Sequence, residues 1–325
     1  MKAFISHNSA IEFWRQQGRP QKGSNYRRSW KKLPAYSPES SIVRRGNPWG
    51  LSVPLDVIIN NSEARRPSRV IRPHVCSIAI PDGSFVDAGN GLYVSSPEFC
   101  FFQMASELPR VKLIELGIEL CGTYSLPGDA IDTVLETAEK TLYNLPPLTD
   151  RKKMSAFLAH MKGGRGQRQA LWALKYIVDK SASPMETILV MLLALPYKHG
   201  GYGLPMPELN RRIDLGKLVK KSSSKEFLRC DLYWEDAGLI VEYDSDLYHS
   251  GPKQIAEDAK RRNALTSTGV RIITVTNQQI HNAIEFDKVA RLISANMGRR
   301  LNIRNKGFVK ARRELRSSLH LSLTY

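Results

Sequence analysis

The chain has 325 residues, 42% of them hydrophobic and 24% charged, with a formal net charge of +17. That apolar content excludes a disordered polymer, and the length leaves room for two domains. The longest apolar run, residues 188–195, is far too short to cross a bilayer, and nothing at the N-terminus resembles a signal-peptide core, so a cytoplasmic protein without a membrane partner is expected.

The basic excess is uneven. Residues 1–75 hold 14 Lys and Arg against 4 Asp and Glu, residues 299–325 hold 8 against 1, and the stretch between them is neutral. Two basic ends suit a phosphate backbone, with affinity that falls steeply with salt, although basic tails also serve solubility alone. Cys76, Cys100, Cys121 and Cys230 show no C-x-x-C spacing and no zinc set, so they read as free, mostly buried thiols.

In chain order, residues 1–20 predict a short helix capped by Ser6, Asn8 or Ser9, with Ile11, Phe13 and Trp14 on its apolar side. GRPQKGSNYRRSWKKLPAYSPESS follows as a loop or linker; its basic and aromatic mixture reads first as a connector, then as a nucleic-acid contact. Over 51–73 a helix and then a strand are expected, VPLDVIIN followed by SRVIRPHV. Short strands are expected at 77–80, 84–88 and 91–95, divided by Asp82-Gly83 and Gly89-Asn90-Gly91. Ser96-Pro97-Glu98 opens a helix through Glu107, and 111–121, with apolar residues three and four apart, forms another.

Gly163-Gly164-Arg165-Gly166 superficially resembles a phosphate-cradling loop, but it lacks the Lys-Ser/Thr and the preceding strand. It reads as a turn before a helix, and no nucleotide cofactor is expected. Ser183-Pro184-Met185-Glu186 is an S-x-x-E capping box with Pro at the first helical position, which gives Glu186 a structural role at least equal to a chemical one. KLVKKSSSK at 217–225 is a basic connection whose Lys220 and Lys221 could lie over DNA, or which merely joins two strands. A basic helix over 309–319 lies in the tail.

The richest stretch is 229–276, which reads as strand, turn, strand, loop, helix, strand. Side chains alternate along a strand, so Asp231 is expected opposite Cys230 and Leu232, while Glu242 and Asp244 share one face. A hairpin through Glu235-Asp236-Ala237-Gly238 would gather three carboxylates on one patch. Two such charges ~4 Å apart repel by about 4 kcal/mol at an effective dielectric near 20. The cluster then needs protonation, a basic partner or a divalent cation, and hard oxygen ligands suit Mg2+ or Mn2+. Acids on the wet face of an edge hairpin are also ordinary. His249 is placed to donate or accept a proton. Lys260, Arg261 and Arg262 on the helix that follows could clamp phosphate or form a solvated face.

Six blocks carry a family resemblance: SPMETILVMLL (183–193), GLPMPELN (203–210), RCDLYW, LIVEYDSDLYH, DAKRRNAL (258–265) and GVRIITVT. In this order and near this spacing, over about 181–282, they resemble the very-short-patch-repair-like endonuclease domain of the PD-(D/E)XK nuclease superfamily. The resemblance implies a restriction-endonuclease-like mixed sheet flanked by helices. It implies Asp231 as the first metal-binding aspartate, Glu242 as the acid opening the ExK element, and Asp244 as the second acid of an E-x-D variant. His249 matches the histidine that closes the motif, Glu186 the acid of the first helix, and Asp258 with Arg261 the D-x-x-R signature. Two departures stand out: Asp244 sits where ExK has lysine, and Ser245 where a glycine is usual. The front half, VSSPEFCFFQMASEL and then GGRGQRQALWALKYI (163–177), resembles the abortive-infection type IV antitoxin-like proteins, without their usual N-terminal winged helix.

The expected architecture is mixed α/β. It comprises a basic helix and linker over 1–50, a smaller antitoxin-like α/β domain over 51–178, a nuclease-like domain over 181–298 and a basic tail over 299–325. The expected function is a Mg2+- or Mn2+-dependent DNA endonuclease or nickase, with Asp231, Glu242 and Asp244 holding the metal and His249 and Glu186 assisting. The alternative is a catalytically inactive nuclease fold acting as a DNA- or protein-binding regulator of the toxin–antitoxin class, with a cognate toxin as partner. RNA as substrate is a third reading.

Overall fold

The computed structural model describes residues 2–16, 28–29, 33–44, 49–128, 140–214, 227–244, 269–301, 303 and 306–321. They belong to two units, Met1–Ile177 and Val178–Tyr325, each mixed α/β with a mixed sheet flanked by helices.

The first unit opens with β1 (Ala3–Ile5) and α1 (His7–Gln16), followed by β2 (Arg28–Ser29), α2 (Ser40–Arg44), β3 (Leu55–Ile59), β4 (Ile71–Val75), β5 (Phe85–Asp87) and β6 (Leu92–Ser95). Their sheet runs β2-β5-β6-β1-β3-β4. The Ala-Phe-Ile triplet of β1 is buried throughout and lies between β6, which it meets in parallel, and antiparallel β3. A short, wholly apolar strand is what a sheet covered on both faces requires. The N-terminal residues thus help to build this unit's sheet.

Where a helix is expected over VPLDVIIN, the chain forms strand β3. Val57, Ile58 and Ile59 are β-branched, which restricts them in a helix and suits them to a pleated sheet. All five residues of β3 are buried, and it pairs in parallel with β4. Residues 77–80 form no strand, while the next two expected strands are β5 and β6.

Among the described residues the unit also has α3 (Pro97–Met104), α4 (Arg110–Cys121), α5 (Arg151–His160) and α6 (Gln167–Leu174). Ser96 caps α3 by accepting the Phe99 N–H at 3.3 Å, as Ser-Pro-Glu predicts. Phe4, Phe85, Phe99 and Tyr93 bind sheet to helix, with edge-on rings for Phe4–Phe85 and Phe85–Phe99 and a stacked Phe4–Tyr93 pair.

The second unit contains α7 (Pro184–Ala194), β7 (Glu208–Asp214), β8 (Phe227–Trp234), β9 (Leu239–Asp244), β10 (Arg271–Thr276), α8 (Asn277–His281), α9 (Ala283–Asn296) and α10 (Lys306–Ser318). Its sheet runs β10-β9-β8-β7, antiparallel from β7 to β9 and parallel between β9 and β10. The β8–β9 hairpin turns through Glu235–Ala237 and closes on Gly238 at a φ of 52°, where the missing Cβ removes the penalty of left-handed backbone. The helix expected over 258–265 lies outside the described residues. Arg316 of α10 is buried and donates to the carbonyls of Ile280, at 2.7 Å, and His281, satisfying the C-terminal end of α8. All four cysteines are free, with Cys100, Cys121 and Cys230 buried. No helix among the described residues is long and apolar enough to cross a membrane.

Inside the first unit, α4 carries two buried acids four residues apart. Glu119 receives Arg15 through Nε at 3.0 Å and Nη2 at 2.7 Å. Glu115 has Lys112 at 3.0 Å, yet burial outweighs that attraction and pushes its carboxyl up to about 7. Its folded pKa exceeds the unfolded one near 4.5, so its contribution to stability is full below about 4.5 and lost as pH rises through about 7. Glu115 should therefore lower stability by on the order of 2 kcal/mol across that window, and Glu115→Gln should remove that share of the fall. Urea unfolding midpoints taken across the range test this.

A candidate acidic site on the second sheet

The β8–β9 ladder pairs Trp234 with Leu239, Tyr233 with Ile240 and Leu232 with Val241. One step farther from the turn, each strand presents an acid, Asp231 on β8 and Glu242 on β9, both half-buried. Here the bonding changes character. The Tyr243 N–H donates to Asp231 Oδ2 at 2.8 Å, so a side-chain carboxylate takes a backbone donor of the neighbouring strand. That bond holds one carboxylate oxygen of Asp231 beside the β9 backbone, next to Glu242.

The other neighbour of Asp231 is β7. Leu209–Leu232 and Arg211–Cys230 are register pairs, so Asn210 lies beside Asp231. Asn210 has a φ of 50°, a left-handed conformation that asparagine tolerates better than most residues. Its amide donates to the Lys180 carbonyl at 2.9 Å and to Glu186 Oε2 at 2.6 Å.

Burial along β8 alternates as expected: Cys230, Leu232 and Trp234 are buried, while Asp231 and Tyr233 between them are half-buried.

Glu186 reaches this site from the first turn of α7. Ser183 Oγ accepts the Glu186 N–H at 3.1 Å, while Glu186 Oε2 accepts the Ala182 N–H at 2.9 Å. The reciprocal half of the box thus closes one residue earlier than the usual N-cap amide. Ser183 Oγ also lies 3.3 Å from Glu186 Oε1. Burial pushes the Glu186 carboxyl up to about 7, and the negative charge of Asp231 adds to that effect. The acid of α7 and the acid of β8 therefore share one electrostatic site, and Asn210, beside Asp231 in the register, donates to Glu186. Sequence reasoning named both acids and missed Asn210, whose local signal is an asparagine breaking the Leu209-to-Ile213 strand pattern.

Asp244 stands two residues beyond Glu242 on β9, half-buried, and pairs with Thr276 as Glu242 pairs with Thr274. Among the described residues, no group of three or more His, Cys, Asp or Glu could hold a metal ion. Asp231 and Glu242 remain as adjacent hard-oxygen donors. Magnesium usually takes one or two protein carboxylates and completes its shell with water and substrate phosphate, so two suit it. His249, Ser245, Asp258, Lys220, Lys221, Lys260, Arg261 and Arg262 lie outside the described residues.

Two curated proteins resemble part of the chain, "Uncharacterized protein MT2308" and "Uncharacterized protein Rv2248", from two strains of Mycobacterium tuberculosis. Each is 26% identical over 149 residues, 46% of this chain and 49% of the relative. The chain spans about half the length of the curated relatives it matches. No protein-family model and no solved structure matches it.

Asn210 joins α7 to the sheet, so its removal has a defined cost. Asn210→Ala should lower stability by roughly 2–3 kcal/mol, through the lost amide bonds and an alanine forced into left-handed backbone. Asn210→Gly should lose less, because only the bonds disappear. Denaturant unfolding of the two variants measures the difference.

Proposed function

We propose that the second unit is a metal-dependent DNA endonuclease or nickase of the PD-(D/E)XK type, acting in the cytoplasm. The observation that carries the reading is the Tyr243 N–H to Asp231 Oδ2 bond, which ties β8 at Asp231 to the residue after Glu242 on β9. Asp231 and Glu242 would hold Mg2+ or Mn2+, with Asp244 as the adjoining acid. When bound, such an ion lowers the pKa of a coordinated water and offsets charge developing on the phosphate.

The remaining work belongs to the chain. Tyr243 fixes one oxygen of Asp231 beside the β9 backbone. Asn210 and Glu186 hold β7 and α7 in place around it, which makes Glu186 a positioning residue here. His249, by the family resemblance, holds or passes a proton at its imidazole. Lys220, Lys221, Lys260, Arg261 and Arg262 supply backbone contacts, and the two basic ends add salt-sensitive attraction.

A second reading is favoured by two particulars. Asp244 occupies the lysine position of the ExK element, and both carboxylate oxygens of Glu186 are engaged around the start of α7. Under it the unit is an inactive nuclease fold that binds DNA or a cognate toxin as part of a toxin–antitoxin regulator.

Conversion of supercoiled plasmid to open circle, with Mg2+ or Mn2+ and with chelator, separates the two. The nuclease reading expects metal-dependent nicking that Asp231→Asn or Glu242→Gln lowers by roughly a thousandfold, with an unchanged circular dichroism spectrum. Nicking that survives in the double variant contradicts it, and wild-type protein that binds plasmid without cutting favours the regulator.

A further inference from the structure

The first unit contains a polar cavity that the nuclease reading leaves unused. His7, the first residue of α1, has a φ of 46° although it is neither glycine nor asparagine, and it is only 7% exposed. Such backbone is costly for a ring-bearing side chain and persists only where surrounding contacts enforce it. The contacts are specific. The His7 N–H donates to Gln103 Oε1 at 3.2 Å, Nδ1 lies 3.0 Å from Ser6 Oγ, and the ring stacks on His74 with centroids 3.7 Å apart. His74 Nε2 lies 2.7 Å from Asp56 Oδ1, and buried Asp56 also has Arg72 at 3.6 Å.

Both imidazoles line a cavity of about 620 Å³, a volume within the range of small-molecule sites. Nε2 of His7 has no hydrogen-bond partner among the described residues. Burial, then the neighbouring His74 and Arg72, hold the His7 pKa well below its ordinary value, so the ring is neutral near pH 7. A neutral ring nitrogen on the cavity wall, with no partner among the described residues, can meet a ligand there.

The cavity has two further walls of different chemistry. Phe99, Phe102 and Ile78 form an apolar side. Arg65 and Arg165 add two cations to the lining, and Glu107 is the carboxylate among the lining residues. Arg65 is anchored through Nε to the Pro73 carbonyl at 3.3 Å, which leaves the rest of its guanidinium open. Arg165 has no ion pair or hydrogen bond among the described residues. It sits in the Gly163–Gly166 loop in front of α6, whose N-cap Gly166 offers no side chain to the helix amides. Gly164 permits the loop to lie where it does, since a Cβ there would come within 2.4 Å of Phe102 and 2.6 Å of Ile78.

We infer that this cavity binds a small phosphate-bearing molecule with an aromatic or apolar body, of mononucleotide size. Arg65 and Arg165 take the phosphate, which planar guanidinium groups match with paired donors. His7 Nε2 makes one directed hydrogen bond, and the phenyl rings of Phe99 and Phe102 cover the body. The sequence alone argues against nucleotide binding at Gly163–Gly166, because the loop lacks a phosphate-binding lysine. The fold supplies the cations from elsewhere, through Arg65 and the loop's own Arg165.

The test is calorimetric titration of the full chain, in chelator, with the four ribonucleoside 5′-monophosphates, adenosine and inorganic phosphate. At least one monophosphate should bind with a submillimolar Kd, and AMP should bind at least about tenfold tighter than adenosine. The Arg65→Ala/Arg165→Ala double variant, at two exposed positions, should weaken monophosphate binding by about tenfold or more. His7→Asn, which accepts left-handed backbone, should weaken it similarly without lowering the Tm, while Asp231→Asn should leave it unchanged. Absence of heat from every phosphate compound at millimolar concentration would overturn the inference. So would adenosine binding as well as AMP, or affinity that survives both cavity variants.

Discussion

At Asp231 a carboxylate stands where a β ladder would ordinarily offer a backbone carbonyl. The Tyr243 N–H donates to it at 2.8 Å, and the local chemistry of the second sheet follows from that exchange. An ionised acceptor strengthens the bond and holds the side chain in one orientation. It also keeps a negative charge between β7 and β9, where Glu242 precedes Tyr243 on β9 and Glu186 approaches from α7. Two neighbouring carboxylates disfavour each other's ionisation, and burial of Glu186 magnifies the effect. The site relieves that conflict in part by letting Glu186 sit near its own titration point at about 7.

Asn210 makes this arrangement mechanically coherent. Its left-handed backbone lets one amide group bridge the Lys180 carbonyl and Glu186 Oε2, so the N-terminal turn of α7 is tied to β7 beside Asp231. Capping, strand irregularity and acid placement are therefore one structural unit. A change at any of these residues is felt by the others, and mutational effects within this unit should not be additive.

Parts of this were legible in the sequence where the signal was local. Ser96-Pro97 and Ser183-Pro184 announce their helices because N-capping depends on residues within one turn. The Glu235–Gly238 turn and the acids flanking it were readable for the same reason. What failed was non-local. VPLDVIIN has the apolar density of a buried helix, and only pairing with β1 and β4 makes it a strand. His7, Asp56 and His74 are separated by tens of residues and show no spacing signal, yet they meet across α1, β3 and β4.

The account rests on Asp231 and Glu242 acting as a pair toward a divalent ion. The most direct measurement is the binding of Mn2+ to the full chain in solution, followed through the enhancement of water proton relaxation. The account predicts saturable binding of one ion, competed by Mg2+ and abolished by Asp231→Asn or Glu242→Gln. Absence of saturable binding at millimolar Mn2+, or binding that both substitutions leave intact, would contradict it.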